Sequence, residues 1–263
     1  MTDWLFELDR VSLAYPDGQL ALGGIDLAIG RGERIVVLGA NGCGKSSLLK
    51  LLNGLVLPSN GELRFCGERV DAQRLRDRDW CRAFRRRVVL MFQHPEAMLF
   101  NPTVAEEIAY GLGPLEAPER ERRVRDWASR LGLAGRLEKP PFQLSGGEKQ
   151  RLCLACLLAM EPEVLLLDEP TANLDPRTVG WFVDWLSGQP VTTVIATHHL
   201  SLAAELGSRC VIVSENHRIV FDGPTEAALQ DVDLLLAHNL AHRHTHRHGA
   251  DAHRHAHVHP DWF

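Results

Sequence analysis

The eight residues GANGCGKS, Gly39 to Ser46, fit the spacing G-x-x-x-x-G-K-S and suit a nucleoside triphosphate. Glycines let backbone N–H groups curl around phosphate oxygens, the Lys45 ammonium adds positive charge, and the Ser46 hydroxyl offers a hard oxygen to Mg²⁺. Candidate nucleotide-binding residues are therefore Gly39, Ala40, Asn41, Gly42, Cys43, Gly44, Lys45 and Ser46, with Ser47 following. The apolar run RIVVL (Arg34 to Leu38) ahead of the loop reads as a strand, and KSSLLKLL opens a helix behind it.

Two further strings carry chemistry. VLLLDEP, Val164 to Pro170, reads as a buried strand whose carboxylates emerge at its C-terminal end, where open α/β sheets bind ligands. Asp168 suits the Mg²⁺ shell, and Glu169 suits a water that it orients or deprotonates at the γ-phosphate. In LSGGEKQR, Leu144 to Arg151, Ser145, Gly146 and Gly147 precede a helix and form a second anion-seeking N-terminus.

The elements that must position these strings follow from periodicity. LFELDRVSLAYPDG and GGIDLAIGRGE alternate apolar and polar residues and predict antiparallel strands. Val88 to Phe92, Val164 to Leu167 and Thr192 to Ala196 predict short buried strands alternating with helices, hence a parallel α/β sheet. Val104 to Leu112, Pro118 to Leu131 and Glu148 to Met160 have helical spacing, so a helical subdomain over about 95–160 is inserted in the α/β core. RCVIV and RIVFDG predict a late hairpin, and Thr225 to Leu240 a helix.

With 263 residues, 45% hydrophobic and 24% charged, the chain can bury the core of one large domain or two small lobes. A net charge of −5 gives no basic stripe, which excludes nucleic acid as the main partner. No apolar run approaches the ~20 residues needed to cross a bilayer, so any membrane role is peripheral. No secretory signal precedes the six scattered cysteines, and reduced thiols are expected. Cys153 and Cys156 fall on one face of an apolar helix and read as core.

Together these strings resemble the ATP-binding cassette (ABC) ATPases, over residues 3 to about 235. The resemblance implies an α/β P-loop NTPase fold with a RecA-like parallel sheet core, an N-terminal antiparallel β subdomain and the inserted helical subdomain, within a domain of 1–240. It implies head-to-tail pairing with a second ATPase subunit, identical or a paralogue, in which Ser145, Gly146 and Gly147 grip the γ-phosphate held by the other cassette. Tyr15 looks like the aromatic that stacks on adenine, Gln93 like the Q-loop glutamine that touches the metal, and Asp175 like the D-loop aspartate. His198 resembles the switch histidine that contacts the γ-phosphate; His199 stands where relatives commonly have aspartate, and strand TTVIA followed by Thr197 favours His198 as the acting imidazole.

FQHPEAMLFNPTVAEEIAYG, Phe92 to Gly111, resembles the energy-coupling factor branch, whose members import vitamins and transition metals with integral membrane transport subunits. His94 to Phe100 would line the docking groove, with the protein peripheral on the cytoplasmic face of the membrane. The basic run RLRDRDWCRAFRRR reads as a solvated face, or as one for anionic lipid or an acidic partner.

Eight of the eighteen residues from His242 to His259 are histidine: His242, His244, His246, His248, His253, His255, His257 and His259. With no apolar period, residues 241–263 are expected to be a flexible tail. Imidazole suits Ni²⁺, Co²⁺ or Zn²⁺, and the absence of cysteine argues against a thiolate site. The economical expectation is an importer of cobalt or nickel; a vitamin substrate, or a soluble cassette ATPase of iron–sulfur assembly, are the alternatives.

Overall fold

The computed structural model describes residues 4–113, 115–172, 174–248 and 251–257. The chain divides into two compact units, 1–77 with 192–263, and 78–191.

The first unit opens with β1 (Trp4–Ala14) and β2 (Leu20–Gly30), paired antiparallel so that Leu8 stands opposite Leu27 and Val11 opposite Ile25. All four of these side chains are buried, as the alternation requires. Next come β3 (Arg34–Leu38) and α1 (Lys45–Leu52), whose Leu48, Leu49, Leu51 and Leu52 are buried. β4 (Asn60–Phe65) and β5 (Glu68–Arg69) complete an antiparallel sheet in the order β2-β1-β4-β5, with α2 (Ala72–Arg76) after it, capped by the Asp71 side chain.

The second unit holds α3 (Arg78–Arg87), β6 (Val88–Met91), a 3₁₀ turn (Pro95–Met98), α4 (Val104–Tyr110), α5 (Ala117–Arg130), α6 (Gly146–Leu158), β7 (Val164–Asp168) and α7 (Pro176–Ser187). β6 and β7 pair in parallel, and both are buried throughout. Between 95 and 160 the described elements are all helical, where apolar spacing predicts helices.

Back in the first unit, the chain forms β8 (Thr192–Thr197), α8 (Leu200–Leu206), β9 (Arg209–Val213), β10 (Ile219–Pro224), α9 (Thr225–Gln230) and α10 (Val232–Ala237). β3 lies between β8 and β9, parallel to both, and β10 runs antiparallel to β9. Val36, Leu38, Cys210 and Ile212 of this sheet pack on Leu200, Ala203, Ala228 and Leu235.

One expectation is corrected. Thr225 to Leu240 is two helices, because the Asp231 side chain accepts the Leu234 N–H (2.9 Å) and starts a new helix where the first stops. Within 241–263, β11 (His242–His248) and β12 (Asp251–His257) pair antiparallel. Strict alternation of H-x-H-x is itself the period of a strand, and a hairpin needs no apolar stripe to pair its backbone. His259 lies outside the described residues.

Candidate nucleotide site

In the first unit the loop from Gly39 to Gly44 joins β3 to α1. Gly42 and Gly44 take the left-handed conformation, at φ 82° and 115°. A Cβ on Gly44 would collide with the Ala21 carbonyl oxygen of β2, and one on Gly39 would come within 2.5 Å of the Val213 carbonyl oxygen of β9. Glycine is thus required both for conformation and for close packing. Buried Lys45 turns back over the loop, its Nζ donating to the carbonyls of Gly39 (2.7 Å) and Ala40 (3.2 Å), which holds a positive charge against the curled backbone. Burial pushes the Cys43 thiol up although Lys45 pulls it down, so Cys43 is a packing residue, not a nucleophile.

Tyr15 sits beside the first turn of α1, its hydroxyl 3.0 Å from Ser47 Oγ. At the end of β8 the Thr197 hydroxyl accepts the His199 N–H (3.1 Å). The rings of His198 and His199 are 4.2 Å apart; His198 is exposed, and His199 is half-buried at the start of α8.

In the second unit Asp168 ends β7 and Glu169 follows, both only 6% exposed. Glu169 has φ 48°, a left-handed conformation uncommon for a non-glycine residue and of the kind held at functional sites by surrounding structure. Part of that structure is Gln150 of α6, whose Nε2 donates to the Pro170 carbonyl. Gln93, just beyond β6, is exposed.

Ser145, Gly146 and Gly147 share a cavity of about 680 Å³ with Arg151, Leu174, Asp175, Arg177, Thr178 and Trp181. Ser145 Oγ accepts the Glu148 N–H (3.3 Å) while Glu148 accepts the Ser145 N–H (2.9 Å), a reciprocal cap of α6. The Ser145 N–H and then Arg136 Nε (3.0 Å) lower the Glu148 carboxyl to about 2. Asp175 caps α7 through Thr178, accepting from its hydroxyl (2.6 Å) and its N–H (3.1 Å), and these bonds hold the carboxyl below its usual range.

Residues 22–172 match the ABC transporter family. The chain belongs to it. Over 255 residues it is 40% identical to a putative ABC transporter ATP-binding protein of Methanosarcina acetivorans, covering 93% of this chain and 92% of the relative. It is 38% identical to the energy-coupling factor transporter ATP-binding protein EcfA of Methanothermobacter thermautotrophicus, over 88% of this chain and 74% of that one. Among solved structures, cbiO1 from Clostridium perfringens, part of the ABC transporter complex cbiONQ, superimposes with a TM-score of 0.78 at 32% identity over 90% and 95% of the two chains. A dimeric ATP-binding cassette bound to ADP and Pi superimposes at 0.74, with 26% identity over 84% and 98%.

As an ABC ATPase the protein hydrolyses ATP with Mg²⁺, and ATPases of this family act as dimers with membrane subunits. Ser46, Gln93 and Asp168 each carry a hard oxygen donor of the kind that would suit Mg²⁺. Among the described residues, no helix is long and apolar enough to cross a membrane. Motif reading finds Ser145, Gly146, Gly147 and Asp175, but it misses Arg151 and Trp181 on the same cavity, where the guanidinium lies over the indole (5.5 Å). Arg151 stands one turn beyond Gly147, the only hint in the sequence; nothing local points to Trp181.

Proposed function

We propose that this ABC ATPase is the ATP-hydrolysing subunit of an energy-coupling type importer and that its solute is a transition-metal ion, cobalt or nickel. The observation that carries the ATPase half is the left-handed glycine cradle closed by Lys45, in a chain whose acidic strand end is buried with Glu169 at φ 48°. The cradle N–H groups and Lys45 bind the phosphates of ATP, and Tyr15 stacks on the adenine. Mg²⁺, when bound by Ser46, Gln93 and Asp168, neutralises phosphate charge. Glu169 orients the attacking water and takes its proton as the bond to the γ-phosphate forms and the bond to ADP breaks. His198 contacts the γ-phosphate, and Ser145, Gly146, Gly147 and Asp175 complete the site of the partner cassette. Glu169→Gln is expected to bind ATP and dimerise without turnover; turnover near the wild-type rate, or a monomer with ATP bound, refutes these roles.

Similarity to EcfA and cbiO1 supports the importer branch. So does an edge-on aromatic pair, Phe100 and Tyr110, with centroids 4.8 Å apart and exposures of 66% and 67%, a surface suited to a membrane subunit. That association would hold the protein on the cytoplasmic face of the membrane.

Composition and register support the metal. Along the hairpin, His242 is paired with His257, His244 with His255 and His246 with His253 in the backbone register, and imidazole is a donor that suits these ions. A chain ended after Ala241 is expected to keep ATPase activity and assembly while losing calorimetric Ni²⁺ and Co²⁺ binding, and binding by the full chain should fall as pH drops through about 6.5. Equal binding by both chains, with no metal accumulation in cells expressing either, removes the metal reading and leaves the ATPase standing.

A further inference from the structure

His217 belongs to none of the motifs, yet three of its groups are hydrogen-bonded, one of them to the phosphate loop. It lies in the turn between β9 and β10 at φ 60°. Its N–H donates to the Ser214 carbonyl (2.8 Å), closing the turn, and its carbonyl accepts the Gly23 N–H of β2 (2.8 Å). Its Nδ1 is 3.0 Å from the carbonyl oxygen of Cys43, inside the loop. A carbonyl only accepts, so Nδ1 carries the proton and donates.

Cys43 stands between the two left-handed glycines, Gly42 and Gly44. Glycine on both sides makes the adjoining peptide planes the easiest in the loop to rotate. In a planar trans peptide the C=O and the following N–H point in opposite directions. A bond that holds the Cys43 carbonyl toward the β9–β10 turn therefore aims the Gly44 N–H away from it, toward the hollow of the cradle. We propose that His217 is a positioning residue for nucleotide binding, fixing the Cys43–Gly44 peptide so that the Gly44 N–H is presented to phosphate before ATP arrives. The inference rests on GANGCGKS as the phosphate cradle, which Lys45→Ala tests separately by its own loss of affinity.

Two substitutions isolate the donor from the backbone. Asn tolerates a positive φ and keeps an N–H donor near the position of Nδ1; Gly tolerates the φ and has no donor. Equilibrium binding of a fluorescent ATP analogue and of ATP in competition is measured on the full chain, with the nucleotide-free melting temperature recorded for each variant. His217→Gly is expected to weaken ATP about 3- to 10-fold, the worth of one hydrogen bond, with KM rising by the same factor and kcat little changed. His217→Asn should stay within about two-fold of wild type, and an affinity loss in His217→Gly that persists well below the melting temperature of each variant is one that general loosening of the fold would not produce. Wild-type affinity in His217→Gly, or equal losses in both variants, overturns the proposal. If Lys45→Ala binds ATP normally, it is the cradle reading that fails instead.

Discussion

Alanine at Gly42 and at Gly44 separates two reasons for glycine in a phosphate loop. Both residues are left-handed, and an alanine in that region costs about 1–2 kcal/mol. Gly42 has open space where a Cβ would go, so Gly42→Ala should cost about that and no more. At Gly44 the added Cβ meets the Ala21 carbonyl oxygen head-on. Ala21 lies in β2 between Leu20 and Leu22, which are held in register with Ala14 and Leu13 of β1, so the carbonyl cannot retreat without disturbing the sheet. Overpacking of this kind adds about 1–3 kcal/mol, for about 2–5 kcal/mol in all. Urea unfolding without nucleotide measures the difference, the midpoint shifting with the slope unchanged. ATP affinity should also fall far more in Gly44→Ala, since relief of the collision must come from movement of the loop. Two variants within about 0.5 kcal/mol of each other, both binding ATP normally, refute the reasoning.

The Glu148 carboxyl is held at about 2 against an ordinary 4.5, so its contribution to stability is complete above 4.5 and is lost as pH falls from there toward 2. Glu148→Gln should therefore melt lower than wild type at neutral pH, by about 1 kcal/mol, with the gap closing in acid; a gap that widens in acid contradicts the assignment. Arg209 donates bidentately to Asp222 (2.7 and 2.7 Å), to Glu33 (2.7 Å) and to the Ala28 carbonyl (2.9 Å), and is 25% exposed. Arg209→Met leaves two half-buried carboxylates without it and should cost about 2–3 kcal/mol in chemical unfolding, against well under 1 kcal/mol for the exposed Arg10→Met.

What was legible in the sequence was whatever lies within one or two turns of chain. GANGCGKS, VLLLDEP and LSGGEKQR each carry a strand end, a loop or a cap in consecutive residues, so type and spacing suffice. The β9–β10 hairpin and the helices of 95–160 were legible for the same reason, since their periods are local. The break at Asp231 was missed because the apolar pattern of Thr225 to Leu240 continues across a capping aspartate, and periodicity does not register a cap. Gln150 on the Pro170 carbonyl, Arg151 over Trp181 and His217 on Cys43 join residues 20, 30 and 174 positions apart, and no local pattern specifies such contacts. Nor does any pattern announce Glu169 at φ 48°, because the strain is imposed by what surrounds it.

The two anion-seeking helix ends are electrostatically unlike. α1 begins after a glycine with no side-chain cap and no acidic residue in its first turn, and Lys45 adds a cation; its positive end is left for a ligand. α6 begins with its own reciprocal cap, and Glu148, ionised down to about pH 2, sits in its first turn and offsets the positive end of the helix. A free phosphate gains little there. Ser145 Oγ, accepting from the Glu148 N–H, still has its hydroxyl proton to donate, and Gly146 and Gly147 line the same cavity, where a Cβ on Gly146 would meet open space and one on Gly147 would press on Thr178. Such a surface suits an oxyanion already neutralised by other groups, rather than one captured from solution. Under the proposed function the α1 cradle would take up ATP and the α6 end would recognise ATP once a second cassette holds it, which is the asymmetry a pair of cassettes needs for nucleotide to drive their association.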